Sequence, residues 1–269
     1  MALDAVDSGG ADGSDIQSVV RAADIVRLLT NGVSSISVAE ASQALGLQRT
    51  TMHRYMTTLL HVGFLQREKS SGRYALGPLA HQVFTAVLRE RQILSIAPPR
   101  MQAIADQAAT STALCLWGGS GALVAHMAYP ASSDMSVRVP IGLRIDPDGA
   151  QTLMFLAFDD DNPHARDILD TVPQSDRKRL DVVLARARAD HFIQVDDRAG
   201  IRIIAVPIFD SRGICATLAM LSTVNRLAPG PLSLAAVALR HTAVQLSAEL
   251  GYEPDRITLV TSNSLPVGY

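Results

Sequence analysis

Three features of the chain predict an α+β fold built from two domains. The first is a pair of short helical patterns separated by Gly46 and followed by two strand-like runs around Ser71-Gly72. The second is a series of apolar strand-like runs between residues 112 and 223, several of them joined by glycine-containing turns. The third is length, since 269 residues with 48% hydrophobic content exceed one small domain. Strands joined by hairpins imply an antiparallel sheet covered by helices, preceded by a small helical domain.

The first helical pattern has a start signal and a stop signal. Ser37 is a suitable N-cap, and Glu40 lies in the first turn, where the helix dipole favours a carboxylate. Gly46 supplies the left-handed conformation that ends a helix, and Leu47 can fill the corner before the next one. A tight turn between two short helices is typical of a helix-turn-helix motif.

The second helical pattern has two different faces. Met52, Tyr55, Met56 and Leu59 recur at helical spacing and predict one buried stripe. Polar and cationic side chains occupy the N-terminal end of this helix and the face opposite the stripe. Their size suits base edges and phosphates in a major groove. These candidate DNA-binding residues are Gln48, Arg49, Thr50, Thr51, His53, Arg54 and Thr57. Taken alone, such residues are more often a solvated surface, so the neighbouring segments matter.

The strand-like runs after this helix favour the DNA-binding interpretation. Lys69 and Arg73 flank the Ser71-Gly72 turn, where a wing can hold the phosphate backbone, and Arg67 adds a third cation. Residues 16–81 contain seven arginine or lysine residues and three acidic ones, although the whole chain has a net charge of −2. The positive charge is therefore concentrated where a nucleic acid would bind. The pattern predicts a winged helix-turn-helix.

The remaining composition argues against several other classes of protein. No run of about 18 apolar residues is present, and no cationic segment followed by an apolar one begins the chain, so a cytoplasmic protein without membrane contact is expected. Cys115 and Cys215 lie far apart in apolar runs and are expected to be buried thiols. No partner stands at ligand spacing, so neither a metal nor a cofactor is expected.

The domain boundaries follow from composition and from the helix breakers. Gly, Ser and Asp dominate the first 15 residues, whereas Pro98-Pro99 predicts the end of a linking helix. The expected divisions are a disordered tail over 1–15, a winged helix-turn-helix domain over 16–78, a linker helix over 79–98, a second domain over 99–252 and a C-terminal tail over 253–269.

The second domain is predicted to alternate strands and helices. The expected strands are 112–117, 122–129, 136–140, 193–195, 201–209 and 214–223, and the expected helices are 104–109, 150–158, 175–189 and 234–250. The apolar face of the linker helix, which includes Val83 and Val87, is expected to bind a second copy.

The whole arrangement resembles the IclR family of bacterial transcription regulators. The resemblance runs from about residue 18 to residue 252. It is strongest at 44–54 with 72–77, and at 203–208 with Asp210 and Gly213. It implies that the second helix of the motif enters the major groove of double-stranded DNA. It also implies a GAF-like antiparallel sheet domain that binds a small-molecule effector, and a homodimer or dimer of dimers. A dimer would read a pseudo-palindromic operator.

One segment departs from the family pattern. The family carries a glycine, a histidine and a Gly-Lys pair after the third strand of this domain. Here Gly142 remains, but residues 145–154 replace the rest. The pocket and its ligand are therefore expected to differ from the typical ones.

The candidate effector-binding residues lie on the central strands and on the loop before this segment. They are Trp117, Tyr129, Ile141, Gly142, Leu143, Arg144, Ala205, Ala219 and Ser222. Arg138 or Arg144 would suit a carboxylate ligand, since a guanidinium can bind it in bidentate fashion.

Two alternatives remain open at this point. One is a DNA-binding dimer whose second domain only mediates oligomerisation, and the other is a metabolic enzyme. The enzyme has no positive support, because nucleophile-elbow, zinc-protease, P-loop and dinucleotide motifs are absent from the sequence. The acidic run Asp159-Asp160-Asp161 is better explained as a solvated loop, since three adjacent carboxylates cannot all face one ion.

Overall fold

A computed structural model describes residues 15–30, 33–132, 136–159, 167–170 and 172–253, with the side chains of 88–90 excepted. The expected tail over 1–15 lies almost wholly outside this range. The same holds for most of the C-terminal tail and of the acidic run. The fold is α+β, as predicted, with a helical N-terminal unit and a C-terminal antiparallel sheet.

The N-terminal unit contains three helices and a two-stranded sheet. The elements are α1 (Gln17–Thr30), α2 (Val38–Leu45), α3 (Arg49–His61), β1 (Leu65–Arg67) and β2 (Tyr74–Leu76). The strands pair antiparallel, with Leu65 opposite Leu76, and Ile36 adds a bridge to Tyr74. One core joins these elements, with Ile25 of α1 and Met52 and Met56 of α3 fully buried in it. The predicted winged helix-turn-helix is present.

Two consecutive helices connect the N-terminal unit to the sheet. They are α4 (Pro78–Glu90) and α5 (Ile93–Ala108). The helix break lies at Arg91-Gln92, whereas the sequence placed the end of the linker at Pro98-Pro99. Both prolines are inside α5, where each removes one main-chain donor. Burial of Ala97 and Met101 against the sheet stabilises the helix across this interruption.

The C-terminal unit is a five-stranded antiparallel sheet with helices on both faces. Its strands are β3 (Ser111–Trp117), β4 (Ala122–Ala128), β5 (Ile193–Asp196), β6 (Ile201–Asp210) and β7 (Gly213–Thr223), in the order β4-β3-β7-β6-β5. Its other helices are α6 (Ala150–Phe158), α7 (Gln174–Asp190) and α8 (Leu234–Glu249). Helices α5 and α8 cover one face, and α6 and α7 cover the other.

The third strand predicted over 136–140 is wrong. These residues have no regular structure, and Pro140 could not donate to a ladder. Residues 142–145 occupy the free edge of β4 instead. Gly142 N–H donates to Val124 O at 2.8 Å, and Ile145 N–H donates to Ala122 O at 2.8 Å.

Candidate functional site

The first helix of the helix-turn-helix is fixed at both ends by its own residues. Ser37 and Glu40 form a capping box, in which Ser37 Oγ accepts from Glu40 N–H at 3.2 Å and Glu40 Oε2 accepts from Ser37 N–H at 2.8 Å. Gly46 ends the helix at φ 64°, a conformation that favours glycine. The Ser42 hydroxyl then donates to Leu47 O across the turn. These contacts set the direction in which α3 leaves the turn.

Helix α3 has one buried face and one exposed face, as the sequence predicted. Met52, Met56 and Leu59 are buried, and Tyr55 is half-buried. Of the seven residues proposed to bind DNA on this helix and at its N-cap, six are exposed and only Thr51 is half-buried. The exposed ones are Gln48, Arg49, Thr50, His53, Arg54 and Thr57.

The exposed face of α3 carries uncompensated positive charge. Within the described ranges, no carboxylate forms an ion pair with Arg49 or Arg54. His53 Nδ1 lies 3.5 Å from Thr57 Oγ1, so that imidazole has only a long contact along the same face. Two free guanidiniums and several hydroxyl and amide groups therefore project from a helix whose other side is anchored in the core.

The wing carries an exposed lysine at its tip, and this lysine has no partner among the residues that the structure describes. Lys69 is exposed in the turn between β1 and β2. Arg67 is used to shape the wing, because its Nε donates to Gly72 O at 3.1 Å and its guanidinium lies 5.9 Å from the Tyr74 ring centroid. Gly72 adopts φ 67° in this turn. Of the two residues proposed to contact phosphate from the wing, Lys69 is free to do so.

Arg73 has protein partners instead of a free head group. Its guanidinium binds Glu40 Oε2 at 2.7 Å and Glu40 Oε1 at 3.2 Å, and it also donates to Ser35 O at 2.9 Å. The proposed phosphate contact of Arg73 is thus unsupported by this geometry. The residue connects the wing to the N-terminus of α2 and so positions Lys69 relative to α3.

The Glu40 carboxylate should make this connection dependent on pH. Its pKa falls from 4.5 to about 2, because Ser37 N–H and the Arg73 guanidinium bind the charged form. A lowered folded-state pKa stabilises the fold above about pH 4.5, and the contribution is lost as pH falls towards 2. Glu40→Gln is expected to lower the free energy of unfolding by less than about 1 kcal/mol at pH 7, since solvent screens the part-exposed pair. Chemical denaturation between pH 2 and 7 measures this difference, and a difference that stayed constant across that range would contradict the assignment.

The α6-covered face of the main sheet carries three of the nine predicted effector residues. Trp117, Ala205 and Ala219 lie on this face, and the Trp117 ring is 5.6 Å from the Phe155 ring of α6. Ser222, which was predicted with them, lies on the other face. It stands opposite Arg202 in the β6–β7 register, and side chains alternate between faces, so Ser222 points towards α5 and α8.

Three of the described polar groups buried on this face lack a good partner, and one of them is Ser111 Oγ at the start of β3. Trp117 Nε1 and Thr217 Oγ1 have no nitrogen or oxygen partner within the described residues. Thr217 lies directly opposite Cys115, whose thiol is a weak partner and whose pKa burial raises to about 12. Neither Thr217 nor Cys115 was among the effector-binding residues predicted from the sequence. Thr217 lies two residues before Ala219 in β7, so strand alternation could have identified it.

The predicted loop residues lie at the edge of the same face. Arg144 Nη1 donates to Ser120 Oγ at 2.7 Å, and the Arg138 guanidinium lies 4.7 Å from the Tyr129 ring centroid. Ile141 and Leu143 are exposed. Gly142, at φ 86°, approaches the N-terminal unit, because a Cβ built on it would lie 3.7 Å from Thr30 O of α1.

Comparison with known proteins agrees with both units. Residues 18–69 match the IclR helix-turn-helix domain. The glycerol operon regulatory protein of Streptomyces coelicolor is 27% identical over 88% of this chain and 97% of its own length. The chain therefore carries the DNA-binding domain of IclR-family transcriptional regulators. Over 88% of its length it is similar to a transcriptional regulator of this type.

Solved structures share the fold of this chain. A crystal structure of an IclR-type chain from Silicibacter sp. TM1040 has a TM-score of 0.76 and 22% identity, covering 88% of this chain and 97% of that one. An IclR homologue from Microbacterium hydrocarbonoxydans, solved with 4-hydroxybenzoate, has a TM-score of 0.70 and 21% identity over 87% and 99%. Across the described residues, no cluster of ligating side chains could hold a metal ion, and no helix has the length and apolar character needed to span a bilayer.

Proposed function

We propose that this IclR-family regulator binds a pseudo-palindromic operator as a dimer, and that a small-molecule effector in the C-terminal unit changes its affinity for that operator. The observation that carries the proposal is the exposed face of α3. Arg49 and Arg54 are unpaired there among the described residues, while Met52 and Met56 anchor the other side. A helix held in this way fits a major groove.

Selection from a random DNA library tests the operator proposal. The purified protein should enrich an inverted repeat whose half-site centres lie about 10 base pairs apart or a multiple of that spacing. Enrichment of a single asymmetric site, or of no sequence, would contradict it.

An exposed apolar surface on α4 supports the dimer. Val83, Phe84 and Val87 are 50%, 61% and 39% exposed, and they lie close together on one side of the helix. Ile16 and Val19 at the start of α1 are also exposed, at 68% and 62%. A second copy of the chain would remove this apolar area from water.

Phe84→Asp is expected to convert the dimer to a monomer at micromolar concentration, because a carboxylate would have to be buried in an apolar interface. Light scattering coupled to gel filtration measures the mass. Gln82→Asp is the matched control, since it places the same charge on another side of α4, where Gln82 is exposed. If both variants stay dimeric, α4 does not form the interface.

The α6-covered face of the sheet is the proposed effector site. Trp117 Nε1 and Thr217 Oγ1 offer two hydrogen-bonding groups without good partners, beside the Trp117–Phe155 ring pair. Arg144 lies at the rim and can bind a carboxylate. An aromatic acid could interact with the two hydrogen-bonding groups, with the ring pair and with Arg144. A homologue of the same fold was solved with 4-hydroxybenzoate. Gly142 lies near Thr30 of α1, so a ligand that moved this loop would affect the N-terminal unit directly.

Titration with 4-hydroxybenzoate, followed by a broader set of aromatic and aliphatic acids, tests the site. Trp117 is the single tryptophan, so its fluorescence reports binding beside it. Thr217→Val is expected to weaken binding about tenfold, because it removes a hydroxyl of nearly the same volume. Thr223→Val, near the end of β7 and half-exposed, is the control. Failure of every acid to change the fluorescence or the melting temperature would favour a C-terminal unit that serves only for oligomerisation.

A further inference from the structure

A second cleft lies where the linker helices meet the sheet unit. It has a volume of about 240 Å³. One wall is the α4–α5 junction at Arg91, Gln92 and Ile93, and the other is the β6–β7 turn at Ser211 and Arg212. Cys215 and Leu250 contribute apolar surface. Cys215 belongs to the core beneath α5 and α8, so this cleft is separate from the α6-covered face.

The cleft has a net positive charge. Among the described lining residues, Arg91 and Arg212 face it together with a single carboxylate, that of Asp210. Arg212 largely compensates Asp210, because its main-chain N–H donates to Asp210 Oδ1 at 2.8 Å and its Nη2 lies 3.4 Å from Asp210 Oδ2. In the described part of the chain, no carboxylate forms an ion pair with Arg91. One guanidinium is therefore left without a counter-charge.

The guanidiniums of Arg91 and Arg212 both lie near Cys215 in the cleft. Burial and the Asp210 charge together raise the pKa of the Cys215 thiol to about 12, and the charges of Arg91 and Arg212 oppose that rise. Both arginines thus lie within Coulombic reach of one sulfur atom. Guanidinium groups that converge on a cleft with hydroxyl and amide side chains, here Ser211 and Gln92, have the chemistry that recognises an oxyanion.

We propose that this cleft binds the oxyanion of a small metabolite, either a carboxylate or a phosphate, between Arg91 and Arg212. The ligand would connect the end of α4 to the β6–β7 turn and so fix the linker relative to the sheet unit. The site does not depend on the DNA-binding or effector proposals, and it can be tested without DNA.

Binding of inorganic phosphate and of acetate, each followed by NMR line broadening of the ion and by thermal shift, tests the proposal on the full chain. The wild type should bind at least one ion, and Arg91→Gln and Arg212→Gln should each weaken that binding about tenfold or more. Arg198→Gln is the control, because Arg198 is exposed in the turn at the opposite end of β6. A response to phosphate alone or to acetate alone would identify the class of ligand.

Asp210→Asn provides a gain-of-affinity test. Asparagine keeps the acceptor for Arg212 N–H but removes the negative charge, so oxyanion binding should tighten several-fold. The proposal is overturned if neither ion binds, if Arg198→Gln weakens binding as much as the cleft variants, or if Asp210→Asn leaves the affinity unchanged.

Discussion

Arg54→Ala is expected to weaken operator binding about tenfold to hundredfold at fixed salt, the loss for one bidentate contact to a base edge. Arg54 is exposed in the middle of α3 and has no acidic partner among the described residues, so its guanidinium is available to DNA. Fluorescence anisotropy with the selected operator and with a scrambled duplex measures both affinities. Loss confined to the operator would indicate a base contact. A uniform loss, with a salt slope lower by about one, would indicate a phosphate contact.

Arg179→Ala is the matched control for Arg54→Ala. Arg179 is exposed on α7, in the other unit, so its removal changes the net charge equally without altering α3. Equal affinities of Arg54→Ala and the wild type would show that this arginine makes no contact.

Gly77→Ala is expected to destabilise the N-terminal unit by about 3 kcal/mol or more, because the added methyl has no space. Its Cβ would lie 2.4 Å from Gly63 O and 2.6 Å from Leu65 O, and these main-chain atoms cannot rotate away. Gly77 N–H also donates to Phe64 O, and Leu79 N–H donates to Gly63 O, where the wing meets the start of α4. To make room for the added methyl, the wing and the start of α4 would have to move apart.

Thermal and chemical denaturation measure the effect of Gly77→Ala, and DNA binding should fall with it. Ser70→Ala, exposed in the turn of the same wing, should leave both properties near wild type. Wild-type stability of Gly77→Ala would mean that the wing and α4 are less closely packed than their contacts indicate.

Local signals made the DNA-binding unit predictable. Ser37 and Gly46 mark the ends of α2 through contacts within a few residues, and the period of Met52, Met56 and Leu59 identifies the buried face of α3. The partners of Arg73 could not be predicted in this way. Glu40 is 33 residues away, and only the folded positions of the wing and α2 bring the two side chains together.

In the sheet unit, the errors have physical causes of different kinds. Pro98-Pro99 usually ends a helix, but tertiary packing of α5 outweighed the loss of two donors. Residues 142–145, and not residues 136–140, form hydrogen bonds with the edge of β4. Which segment pairs with a free strand edge depends on the other segments that compete for it. Ser222 and Ala219 lie on opposite faces because three residues separate them in β7 and strand side chains alternate.

Photo-crosslinking from α3 tests the central claim most directly. A photoreactive amino acid at Thr50, on the exposed side of the helix, should crosslink to bases within the operator half-site, whereas the same group at exposed Ala185 of α7 should not. Crosslinking at Ala185 but not at Thr50, in protein shown to bind the operator, would contradict the placement of α3 in the duplex.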